Sequence, residues 1–146
     1  MRVPHNSCVL VADGKKMLFF RNEGDGAFPK LEVERKREQT NPATRDQKSD
    51  GPGRAFPTSG IGHHASSETD FHQLEEDRFA AEAAEMLRER ALRNEFEALI
   101  VVAPPRTLGE LRKHYHKEVE RRLAAEVAKD LTRHPVSEIE KILVAQ

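Results

Sequence analysis

A single cysteine, Cys8, stands in 146 residues, so no disulfide can form within the chain. Such sparse cysteine usage suits a reducing compartment. The longest apolar run, "ALIVVA" at 98–103, is far too short to span a bilayer, and no charged-then-apolar leader opens the sequence. Acidic and basic residues nearly cancel, 25 against 24, which argues against a broad electrostatic hold on nucleic acid and leaves room only for a local basic face. Large apolar side chains are almost missing from residues 35–70. These absences together predict a soluble cytoplasmic protein with a modest core, one domain over residues 1–146, and one long polar excursion.

What is present begins with two apolar runs, 8–12 and 17–20, joined through Asp13-Gly14. Asp-Gly between apolar runs is a strong hairpin signal, because both residues tolerate positive φ. A second turn at "NEGDGAFP" leads into "KLEVERKRE", where Leu31 and Val33 alternate with charges before the run becomes wholly charged. A strand that polar belongs on a sheet edge, where charges discourage further pairing. Residues 40–67, rich in Gly, Pro and Ser, read as a long flexible loop.

From 70 to 94 the pattern is helical, with Phe71, Leu74, Phe79, Ala83, Met86 and Leu87 tracing an apolar stripe and Asp70 with Gln73 resembling a capping box. "ALIVVA", closed by Pro104-Pro105, reads as a strand buried on both faces. Thr107 and Glu110 suggest a capping box for a helix that carries Leu108, Leu111 and Tyr115 on one face. Residues 119–127 are ambiguous: Val119, Leu123 and Val127 recur at helical spacing, yet a parallel sheet would want a strand there. A last helix follows, with Pro135 in its first turn and Ile139, Ile142 and Leu143 facing inward. The fold class is therefore α/β, a ribonuclease-H-like three-layer domain. Its mixed five-stranded sheet has the order 3-2-1-4-5, with helices on its faces and the long loop between strand 3 and the first helix.

The segments "VLVADGKKMLFFRN", "DGPGRAFPTSG", "FAAEAAEMLRE", "LIVVAPPRTLGELRKHY" and "EVAKDLTRHPVSEIEKIL" together resemble the bacterial host-attachment protein family. That family is in turn similar to the central domain of archaeo-eukaryotic peptide-chain release factors and their ribosome-rescue relatives. The resemblance implies a strand within 121–127. It also implies a non-enzymatic cytoplasmic binding or regulatory protein, indirectly linked to attachment of bacteria to host cells, with an unknown protein partner. In release factors the loop after strand 3 carries Gly-Gly-Gln, which reaches the peptidyl-transferase centre. No paired glycines occur in this chain, so peptide-release chemistry has no residue to rest on. The alternative implied is a ribosome- or RNA-associated factor lacking Gly-Gly-Gln.

Individual residues offer limited chemistry. In the loop, Arg45, Lys48 and Arg54 are candidate phosphate contacts, with backbone amides near Gly53 able to approach the same anion, although Asp46 and Asp50 offset part of the charge. His63 and His64 form a candidate loop site; with His72 and Glu68 or Asp70 they would make a metal cluster, but their spacing matches no structural zinc pattern. Asp13, at the end of strand 1, stands where a ribonuclease-H-like nuclease places a magnesium ligand, a weaker alternative that needs further carboxylates; its plainer role is turn formation. His114 and His116, two apart on the expected helix, read as surface residues, and Cys8 reads as core. No cofactor is expected.

Overall fold

The two most apolar runs of the chain sit side by side at the centre of the sheet. In the computed structural model, which describes residues 1–38 and 64–146 (64–70 by backbone alone), β1 (Cys8–Ala12) pairs in parallel with β4 (Leu99–Ala103). Every residue of both strands is buried. β2 (Lys16–Asn22) runs antiparallel to β1, β3 (Leu31–Glu38) antiparallel to β2, and β5 (Leu123–Ala128) parallel to β4. The order β3-β2-β1-β4-β5 is the expected one.

Alternation along the strands builds two apolar layers. Cys8, Leu10, Phe19, Leu99 and Val101 face α1 (His64–Leu92), whose Phe79, Ala83, Leu87 and Ala91 cover them, together with α2 (Pro105–Arg112) and α3 (Lys117–Arg122). On the opposite face Val9, Val11, Phe20, Ile100 and Val102 pack under Ile139 and Leu143 of α4 (Val136–Ala145). Each fully buried Leu, Ile or Phe contributes about 1.5–3 kcal/mol. β3 behaves as an edge: only Leu31 is buried, and Val33 is 53% exposed.

Several local expectations change once neighbours are in place. α1 begins at His64, not Asp70, so its first residues come out of the segment read as loop, and His64 is a helix residue. Among the described side chains of α1 the first buried one is Phe79, and Leu74 of the predicted stripe is 47% exposed. α2 starts at Pro105, because proline is preorganised for the first helical position and has no amide to leave unpaired. Thr107 is therefore inside the helix, and Pro104 is its N-cap. α2 ends at Arg112, so Tyr115 packs on the core from the following loop. Pro135 caps α4 from outside rather than lying in its first turn, and Ile142 is only half-buried. The ambiguous 119–127 segment divides: propensity wins in α3, then backbone pairing with β4 converts 123–128 to a strand.

The β1–β2 hairpin also closes differently from an Asp-Gly turn with positive φ. Among the described residues only Asn6 and Asn94 have positive φ. Instead, Asp13 Oδ1 accepts from the amides of Lys15 and Lys16, both at 2.7 Å, and the Asp13 amide donates to the Lys16 carbonyl at 2.9 Å. A carboxylate that mimics a backbone turn removes the need for left-handed residues.

Candidate functional site

The carboxyl ends of the parallel strands β1, β4 and β5 lie at one end of the sheet, the usual place for ligand contacts in open α/β sheets. Neighbouring strands are roughly 4.8 Å apart, so the residues that follow these three form a row about 10 Å wide. Lys15 follows β1, Arg106 follows β4 at the second position of α2, and Lys129 follows β5 directly. Arg133 joins them because its neighbour Thr132 is hydrogen-bonded to Asp13, with Thr132 Oγ1 3.0 Å from Asp13 Oδ2. All four cations are exposed. Among the described residues none of the four is in an ion pair.

Two helices open at this same end. α2 and α4 begin after Pro104 and Pro135, neither of which supplies a side-chain cap to the first-turn amides. Uncapped amides and the helix dipole add positive potential beside Arg106 and Arg133. Acids share this end: Asp13 closes the hairpin turn and meets Thr132, Asp130 Oδ1 lies 2.8 Å from Thr132 Oγ1, the Glu76 carboxyl lies against Gly14, and Glu138 sits in the first turn of α4. β3 also ends here, since Glu38 pairs with Lys16.

The opposite end of the sheet treats its charges in another way. A β-bulge opposite Phe19 and Phe20 makes Glu34 the extra residue on β3 and turns its carboxylate toward α1. There it accepts from Arg21 Nε at 3.1 Å and from Arg90, whose side chains are only 11% and 12% exposed. Arg90 also reaches Glu95 at 3.1 Å, lies over the Phe19 ring at 5.3 Å, and lines a cleft of about 430 Å³ with Arg21, Glu34, Arg35 and Glu95. Partial burial works to raise the Glu34 pKa, but hydrogen bonds and charge from Arg21 and Arg90 outweigh it and hold the carboxyl below its ordinary 4.5.

The depressed pKa gives a sign for acid sensitivity. Stability from this pairing is fully present above the ordinary carboxyl value and is lost as pH falls through the folded one. Glu34→Gln should cost about 1–3 kcal/mol at neutral pH, by leaving two nearly buried guanidiniums short of a carboxylate. Urea denaturation from neutral pH to pH 3 should show the difference between variant and wild type shrinking below about pH 4.5. A constant difference across that range would mean the pairing is not what stabilises β3.

The remaining candidates separate by position. Arg45, Lys48, Gly53, Arg54 and His63 lie outside the described residues, and so do the side chains of His64, Glu68 and Asp70. Asp13 has both carboxylate oxygens engaged, and among the described residues no group of three His, Cys, Asp or Glu side chains is arranged to hold a metal. Burial pushes the Cys8 thiol up to about 11, against the opposing charges of Arg90 and Arg21, as befits a core residue. His114 and His116 sit between α2 and α3 rather than on a helix; His116 is the α3 N-cap, its Nδ1 accepting from the Glu118 amide at 3.0 Å. Sequence reading missed the Lys15–Arg106–Lys129–Arg133 surface and the Glu34 cluster. The one local signal was a charged Arg21 directly after the apolar Phe19-Phe20.

No helix among the described residues is long and apolar enough to cross a membrane. No curated protein sequence matches the chain. Its fold is similar to a crystal structure of an archaeal translation termination factor, with 14% identity and a TM-score of 0.48. That match covers 96% of this chain, which spans only 36% of the archaeal protein's length. The family model of bacterial archaeo-eukaryotic release factors, family 12, matches residues 6–143. The chain therefore belongs to the bacterial archaeo-eukaryotic release factor family 12.

Proposed function

We propose that this protein is a ribosome- or RNA-associated factor of the cytoplasm that contacts an RNA phosphate backbone with the carboxyl end of its sheet and does not itself release peptides. The observation that carries this reading is the gathering of four exposed cations at the carboxyl end of the sheet. Near-neutral overall charge hides an end where Lys15, Arg106, Lys129 and Arg133 are exposed and unpaired, while Arg21 and Arg90 at the other end are held by glutamates. A local cationic row beside two uncapped helix starts suits phosphates spaced along a strand. Membership of a release-factor family supports the same direction, and the absence of paired glycines separates it from peptide hydrolysis. Phosphate contacts by Arg54, Arg45 and Lys48, with the backbone at Gly53, belong to this reading as further proposed contacts from residues outside the described ones.

The other readings have less behind them. A binding or regulatory role tied indirectly to host attachment rests on the resemblance of sequence segments alone. A magnesium-dependent nuclease would need carboxylates converging on an Asp13 that already closes a turn.

Co-sedimentation with purified ribosomes over a salt series tests the proposal. Wild type should pellet at low salt and dissociate as salt rises. Replacing Lys15, Arg106, Lys129 and Arg133 together by alanine should weaken binding by roughly 100-fold and reduce the salt slope by about three. The melting temperature should barely move, because all four side chains are exposed and unpaired. Wild-type protein that stays in the supernatant at low salt would remove the ribosome reading.

A further inference from the structure

Thr132 is a buried polar residue, 3% exposed, in the turn between β5 and α4. Its hydroxyl oxygen lies 3.0 Å from Asp13 Oδ2 and 2.8 Å from Asp130 Oδ1. A hydroxyl has one proton and serves one carboxylate at a time. The Thr132 amide also donates to Asp130 Oδ1 at 3.3 Å, so Asp130 keeps a partner when the hydroxyl turns to Asp13. Asp13 uses its other oxygen to fix the amides of Lys15 and Lys16.

A continuous chain of bonds therefore runs from the Lys15 turn through Asp13 and Thr132 to the segment that carries Arg133. These two turns are 119 residues apart in sequence, and β4 separates their strands in the sheet. We propose that Thr132 is a positioning residue for the cationic surface: its hydroxyl latches the β1–β2 turn to the β5–α4 turn and fixes the spacing of Lys15 and Arg133. The inference rests on the RNA-contact reading above. Preset spacing matters because a cation held at the phosphate interval loses less freedom on binding than one on a loose turn.

Thr132→Val preserves the shape and deletes the donor, and Thr132→Ser preserves the donor. Binding to a labelled RNA hairpin at several salt concentrations, with circular dichroism melts alongside, separates the outcomes. Thr132→Val should bind about 5-fold more weakly, with a salt slope lower by about one, as one phosphate contact is lost. Thr132→Ser should restore both to wild-type values. Asp130→Ala leaves the Asp13 latch intact and removes a negative charge, so it should bind at least as tightly as wild type. Wild-type affinity and slope in a folded Thr132→Val protein overturn the latch while leaving the RNA reading standing. So does weakened binding with an unchanged slope that serine fails to rescue. If Thr132→Val does not fold, Asp130→Ala decides, and weaker binding by it overturns the proposal. A wild-type protein that binds no RNA overturns the RNA reading, and the latch with it.

Discussion

Val101→Asp should destabilise the protein by about 3 kcal/mol or more, lowering its melting temperature by roughly 6–12 °C or preventing folding. Val101 is fully buried on β4, paired with Leu10 of β1 and facing a layer made of Leu10, Phe19, Phe79, Leu87 and Leu108. Arg90, which lies over the Phe19 ring, is already held by Glu34 and Glu95, so a carboxylate at 101 has to be buried unpaired or take up a proton against its solution preference. Net stabilities of domains are about 5–15 kcal/mol, so one such charge removes a large share. Val33→Asp is the control: at 53% exposure on β3, the same chemical change should stay within about 0.5 kcal/mol. Urea denaturation followed by far-ultraviolet circular dichroism measures both. Equal midpoints for the two variants would contradict the placement of β4 inside the sheet.

The second large effect is expected at Asn22, a polar side chain with no exposure at all. Its amide nitrogen donates to the carbonyls of Val3 at 2.8 Å, Pro4 at 3.2 Å and Asp25 at 3.3 Å. Its carbonyl accepts from the amides of Gly24 at 2.9 Å and Lys30 at 2.8 Å. One residue thus joins the N-terminal segment to both ends of the β2–β3 turn. Asn22→Ala strands several of those backbone groups, and each one left unpaired costs about 1–3 kcal/mol, with water recovering part. A loss of about 3 kcal/mol is expected. Asn22→Asp should cost at least as much, since it keeps the acceptor for Gly24 and Lys30 but points a second oxygen at three carbonyls. Amide exchange at Gly24 and Lys30 should accelerate in the alanine variant and stay slow in the aspartate one. Unchanged exchange in both would mean that the turn is held by something else, the tight fit around Gly24 being the alternative: a Cβ there would lie 2.4 Å from the Phe28 carbonyl oxygen.

Four strands are legible in local patterning, and the fifth came from the family resemblance, since 119–127 is ambiguous on its own residues. "CVLVA" and "LIVVA" are apolar throughout because both of their faces are covered, and that requirement is written locally. "LEVERKRE" announces an edge for the opposite reason, and the lone cysteine sits where an apolar strand begins. Helix limits were less legible. Pro105 and the edge of β4 decided where α2 and β5 begin, against the Thr107–Glu110 box and the helical spacing of Val119, Leu123 and Val127.

Which charges meet depends on the assembled sheet and helices. Glu34 finds Arg21 and Arg90 through a bulge in the β2–β3 register, and no periodicity signals an inserted residue. Asp13 meets Thr132 because β1 and β5 flank β4, which sets residues far apart in the chain at one end of the sheet. Apolar patterning records burial residue by residue, since burial depends on a side chain's own transfer from water. Charge pairing depends on two distant positions at once. The difference between a paired Arg90 and an unpaired Arg106 therefore belongs to sheet order and register rather than to any stretch of sequence.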